Sequence, residues 1–113
     1  MKKNPPKEVG LLRKFVSTAR SVTTGQVGLP LGILRLNKNL FWLKGYNINP
    51  LTDEELKIVE AYYARIVEFP LDQERLAWAP DILKKLDEKL ECITIKYRPQ
   101  LMGVLTRIVA EAD

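Results

Sequence analysis

The sequence predicts an all-α protein, a compact bundle of four to five helices. Apolar residues recur every three or four positions along most of the chain, the spacing that lays one buried stripe along a helix. Proline and glycine cut the chain at intervals of helical length. The one β-branched run, Cys92-Ile93-Thr94-Ile95, would suit a strand but has no visible partner strand. With 113 residues the chain is the size of one domain, and a chain of that size buries roughly two-thirds of the surface its unfolded form exposes. Residues 1–6 read as a flexible N-terminal tail ahead of a single helical domain.

The first helix is expected from about Pro6 to Thr24, with Val9, Leu12, Phe15 or Val16, Ala19 and Val22 on its apolar face. Gly25 stops it, since glycine tolerates the left-handed conformation that ends many helices. The second starts near Leu29 with Pro30 in its first turn, where the missing N–H is no loss. It carries Ile33, Leu34, Leu36, Leu40, Phe41 and Leu43, and Gly45 closes it. Gly32 inside this helix costs up to about 1 kcal/mol relative to alanine, so close approach of another helix is expected there. Thr52-Asp53-Glu54-Glu55 is a capping box, each of Thr52 and Glu55 satisfying a free backbone N–H of the other, and its acids favour the positive end of the helix dipole. Leu56, Val59, Tyr62 or Tyr63 and Ile66 follow, ending before Phe69-Pro70.

Leu71 to Ala79 reads as a connector with a short helical turn near Asp72 to Leu76, and Trp78 as the anchor that plugs it onto the core. A fourth helix starts near Pro80, with Ile82 or Leu83, Leu86, Leu90, Ile93 and Tyr97 on one face. Pro99 disfavours helical geometry at Arg98, so a separate last helix is expected from about Pro99 to Ala112.

Composition removes whole classes of chemistry. The chain has no histidine, which excludes Ser-His-Asp and Cys-His catalysis, HExxH zinc sites and imidazole pH switching within it. Cys92 is the single cysteine, so there is no internal disulfide and no CxxC pair. The net charge of +4 is unevenly spread. Residues 1–50 hold nine Lys or Arg against the single acid Glu8, a net +8, and residues 51–113 hold nine against thirteen acids, a net −4. Such a split could steer an anionic partner toward the front half, but the bases are scattered and not clustered in runs, so the expectation is that the halves pack together and partly neutralise each other. No apolar run follows Met1-Lys2-Lys3 and no stretch approaches a membrane span. The expectation is a cytoplasmic protein with no membrane contact.

Three segments in order carry a resemblance. They are Ser17-Thr18-Ala19-Arg20 through Gly25-Gln26-Val27-Gly28-Leu29-Pro30-Leu31-Gly32, then Phe69-Pro70-Leu71-Asp72-Gln73-Glu74-Arg75, then Trp78-Ala79-Pro80-Asp81-Ile82-Leu83 with Asp87. Together they resemble a family of small uncharacterised bacterial proteins, with an Ala-Arg pair, a G-x-V-G-L-x-x-G stretch, a Leu-Pro turn leading to Arg, a Trp and an Asp-x-Glu helix. The resemblance covers about residues 15–95. It departs at Asp72, where the family often has glycine, and between Asn37 and Leu56. It implies a bacterial origin and a cytoplasmic setting, and no chemistry.

Asp87 and Glu91 share a helix face at a spacing that would suit a metal or an acid–base pair. Their neighbours Lys84, Lys85, Glu88 and Lys89 describe instead a solvated face laced by weak ion pairs. Gly25-x-x-Gly28-x-x-x-Gly32 fits neither phosphate-binding fingerprint and reads as a tight turn with a small-residue crossing. Arg20 could pair with Asp72 or Asp87. Binding candidates are Arg20, Arg75 and Trp78 in the resembling segments, and Arg35, Lys38, Trp42 and Lys44 on the second helix.

With no metal-ligand set, no nucleophile–base set and no cofactor loop, the expectation is a non-catalytic protein–protein interaction or regulatory module with no cofactor. An immunity- or antitoxin-like protein is one concrete form, although a pI near 9.3 disfavours the acidic nuclease-inhibitor subtype. Nucleic-acid binding is the alternative, a helix-turn-helix reading with Arg35, Asn37, Lys38, Asn39 and Lys44 reaching out from the second helix, although Leu36, Leu40, Phe41 and Leu43 leave it only a narrow exposed face and the acidic back half would repel phosphate. Trp42, Tyr46 and Trp78 also offer aromatic surface for self-association.

Overall fold

The computed structural model describes residues 7–71 and 73–112. The expected tail at 1–6 and Asp72, one of the two partners offered for Arg20, lie outside the described residues. Four α-helices form the protein: α1 (Lys7–Thr23), α2 (Leu29–Lys44), α3 (Asp53–Ile66) and α4 (Pro80–Ala112), with a 3-10 turn at Gln73–Ala77 between the last two. The segment Cys92–Ile95 is helical. Helix α4 is the spine. At 33 residues it runs about 50 Å, nearly the 54 Å long axis of the molecule. Helices α1 and α3 pack along it, and α2 lies chiefly on α1.

The helix ends follow local chemistry. Past α1, the Gln26 N–H reaches the Ser21 carbonyl and the Gly25 N–H that of Val22, the paired bonds of a Schellman motif. Gly25 takes φ +80° there, which a residue with a Cβ resists. At α3, the Glu55 N–H donates to Thr52 Oγ1 at 3.2 Å and the Thr52 N–H to Glu55 Oε1 at 2.9 Å, so the expected capping box is complete. Gly45 does end α2, but in right-handed geometry. The left-handed residue is Asn47, at φ 59°.

One apolar cluster holds the helices together. Phe15 and Ala19 from α1, Ile33, Leu36 and Leu43 from α2, Val59, Tyr62 and Ile66 from α3, and Leu101 and Leu105 from α4 are all buried. At Gly32 α2 packs closely against Val22 of α1. A Cβ built on Gly32 would lie 2.2 Å from Val22 Cγ2, so the crossing expected at this glycine is present.

Within the core, the Tyr62 hydroxyl and Thr94 Oγ1 share a buried 2.8 Å hydrogen bond. Burial pushes the Tyr62 hydroxyl above its ordinary pKa. Tyr62→Phe is expected to cost about 1 kcal/mol, the net worth of one such bond, read from chemical denaturation. A loss below a few tenths would mean that Thr94 finds an equal hydrogen-bond partner elsewhere.

Two expectations fail. The chain does not break at Pro99: α4 continues through it to Ala112. Proline inside a helix costs about 3 kcal/mol through a lost hydrogen bond and a ring clash. Here Pro99 and Ile95, whose carbonyl loses its donor, are both on the solvent side, where water can take the orphaned acceptor. Leu101, Val104, Leu105 and Ile108 beyond it are buried against the rest of the fold, and that burial holds the second half of α4 in line. Trp78 is not the core anchor either. It stays 44% exposed, while Pro70 is buried and Phe69 and Leu71 pack on the core in its place.

Candidate functional site

The polar faces of α1 and α2 flank an open groove of about 670 Å³. On α1, Lys7, Gly10, Leu11, Lys14, Ser17 and Thr18 line it, spaced at three and four residues so that all fall on one helix face. On α2 the same spacing brings Arg35, Lys38, Asn39 and Trp42 to the facing bank, and Tyr46 in the turn beyond Lys44 completes it. The apolar stripe of each helix points the other way, into the core. Gly10 adds no side chain, and a Cβ there would meet nothing within 4 Å, which keeps this part of the floor open.

The electrostatics of the groove are one-sided. Among the described residues, four cations line it and no acid does. Lys7, Lys14, Arg35 and Lys38 are exposed, and none is paired with a described residue. The ion pairs between described residues, Arg75–Asp87, Arg107–Glu55 and Arg107–Glu111, all lie within the acidic half of the chain. The expected neutralisation of one half by the other therefore does not reach these four cations. Trp42 is 54% exposed and held edge-on against Phe41 at a ring separation of 5.6 Å, a geometry that suits aromatic pairs.

The other sequence candidates fall elsewhere. Arg20 sits by a shallow depression between the opposite side of α1 and Ala112 at the end of α4. Lys44 is exposed in the last turn of α2 without lining the groove. Arg75 grips Asp87 with a two-pronged contact, at 2.7 and 2.8 Å, and donates to the Pro70 carbonyl. That guanidinium holds the Asp87 carboxyl below the usual carboxylate range. The pair ties the 3-10 turn to α4, so Asp87 is already engaged and does not face Glu91 as an open acid pair.

No family model, curated protein or solved structure matches this chain. The site therefore stands on its own geometry. Sequence reasoning reached Arg35, Lys38, Asn39 and Trp42 but passed over Lys7 and Lys14. Their seven-residue spacing puts them on one side of α1, off the Phe15–Ala19–Val22 stripe, a signal present in the sequence. What it lacked was the knowledge that this side faces the polar face of α2.

Proposed function

We propose that the protein is a non-catalytic binding module that docks an anionic partner in the groove between α1 and α2. The supporting observation is the set of four cations unpaired among the described residues, with Trp42 and Tyr46 beside them and no acid among the described residues of either bank. Cations gathered in a concave surface concentrate an oppositely charged partner and speed its encounter, and exposed aromatic side chains supply the contact area on which binding energy concentrates. An acidic protein surface, as in an antitoxin holding its toxin, and a nucleic acid both meet these demands. Cytoplasmic placement and bacterial origin belong to the same reading, on the strength of the resemblance alone. No candidate membrane span occurs among the described helices.

The test separates a built site from mere net charge. Lys14→Glu/Arg35→Glu/Lys38→Glu reverses the groove, and Lys57→Glu/Lys85→Glu/Lys96→Glu makes the same charge change on exposed positions of α3 and α4. On a heparin column the groove variant is expected to elute at clearly lower salt than the control variant. Equal elution of the two would overturn the groove as the docking surface.

A further inference from the structure

Resting on the groove as an anion-docking surface, we infer that its partner is single-stranded nucleic acid. Lys7, Lys14, Arg35 and Lys38 contact its phosphates, and Trp42 and Tyr46 stack its bases. Single strands are held in this way, by a basic groove that follows the backbone and aromatic side chains that receive the bases, without regard to sequence.

Shape excludes the duplex form of the alternative. A recognition helix must protrude to enter a major groove about 12 Å wide, whereas the polar face of α2 is one bank of a concavity shared with α1. Composition favours nucleic acid over a protein surface. Three of the four cations are lysines, a residue depleted where protein interfaces are buried but at home on phosphate. Trp42 in the last turn of α2 and Tyr46 in the turn just beyond it both line the groove, and both rings are exposed and open to stacking. The Asn39 side chain, also in the groove and with no partner among the described residues, supplies both donors and an acceptor for a base edge. The face from Lys7 to Thr18 is about 16 Å long, which accommodates up to about five stacked nucleotides at ~3.4 Å each.

The intact protein is titrated into fluorescein-labelled twelve-nucleotide oligo(dT) and oligo(U), and anisotropy is read between 50 and 200 mM salt. Binding is expected to fall with a log–log salt slope between about −2 and −3, as about 0.7 per neutralised phosphate requires for up to four cations. Lys14→Ala/Arg35→Ala makes that slope shallower by about 1.4. Trp42→Ala weakens binding about ten-fold and leaves the slope unchanged, since a stacked base contributes affinity without charge. In a Trp78→Phe background the fluorescence of Trp42 is quenched by either oligonucleotide. Binding that ignores both groove variants, or a twelve-base-pair duplex bound as tightly as the single strands, overturns the inference. A twelve-residue polyglutamate peptide separates the two levels. If the oligonucleotides fail but the peptide binds and Arg35→Ala weakens it, the nucleic-acid assignment falls and the anionic groove stands. If neither anion binds at 50 mM salt, both fall.

Discussion

Gly32→Ala is expected to lower stability by about 2 kcal/mol, against the usual rule that alanine improves a helix. In an open helix the exchange would gain about 0.8–1.0 kcal/mol. Here the new methyl would stand 2.2 Å from Val22 Cγ2, far inside van der Waals contact. Val22 is itself buried and, as a β-branched residue in a helix, has one strongly preferred rotamer. Relief must come from parting α1 and α2, which falls toward the upper end of the 1–3 kcal/mol typical of overpacked cores. The midpoint of thermal unfolding should drop by about 8 °C or more. The decisive comparison is the double variant Val22→Ala/Gly32→Ala, which should be more stable than the two single losses summed, by at least about 1 kcal/mol. Simple additivity would show that the crossing is not where the methyl is felt.

Glu55→Gln is expected to cost about 2 kcal/mol at neutral pH, although Glu55 lies in the first turn of a helix, where single substitutions are often mild. Its carboxylate has two roles. It closes the capping box on the Thr52 N–H, and both oxygens accept from the Arg107 guanidinium, which also donates to the Pro50 carbonyl. One side chain thereby joins the loop, the start of α3 and the last turns of α4. The Glu55 side chain is only 14% exposed and that of Arg107 30%, so the pair is partly shielded from water. Hydrogen bonds to charged groups of this kind contribute about 1.5–3 kcal/mol. Arg107→Lys keeps the charge but loses the planar fork, and should recover only part of the loss seen for Arg107→Ala.

Acid provides an independent check. The bonds from Arg107 hold the Glu55 carboxyl below its ordinary pKa. A carboxyl depressed in the folded state stabilises fully above its unfolded value, about 4.3, and loses that contribution as pH falls through the folded value. Resistance of the wild-type protein to urea should therefore weaken below about pH 4, and its advantage over Glu55→Gln should shrink across that range. An advantage that persists undiminished at pH 2 would assign the effect to packing and not to charge.

Signals legible in the sequence were those completed within a few residues. The Thr52–Glu55 box, the Gly25 turn and the Pro30 start each depend on groups at most five positions apart, and each lies where local chemistry puts it. Gly32 also declared itself, because a glycine in a helix has a cost that some neighbour must offset. Signals that depend on distant partners are not legible along the chain. Pro99 looked like a break because its local cost is visible, while the burial of Leu101 and Leu105 that outweighs it depends on other helices. Glu55 read as a cap and nothing more, since Arg107 is 52 positions away.

Residue spacing and composition alone specify the helical class, three of the four helices nearly to the residue, the exclusion of histidine and paired-cysteine chemistry, and the excess of positive charge in the first fifty residues. The tertiary structure alone decided that α4 is one rod, that Trp78 remains at the surface, and that Lys7 and Lys14 share a groove with Arg35, Lys38 and Trp42. Periodicity states which side of a helix is polar, since that depends only on spacing along one chain segment. Which two polar sides face one another depends on how the buried sides pack, and that is set jointly by every helix in the core.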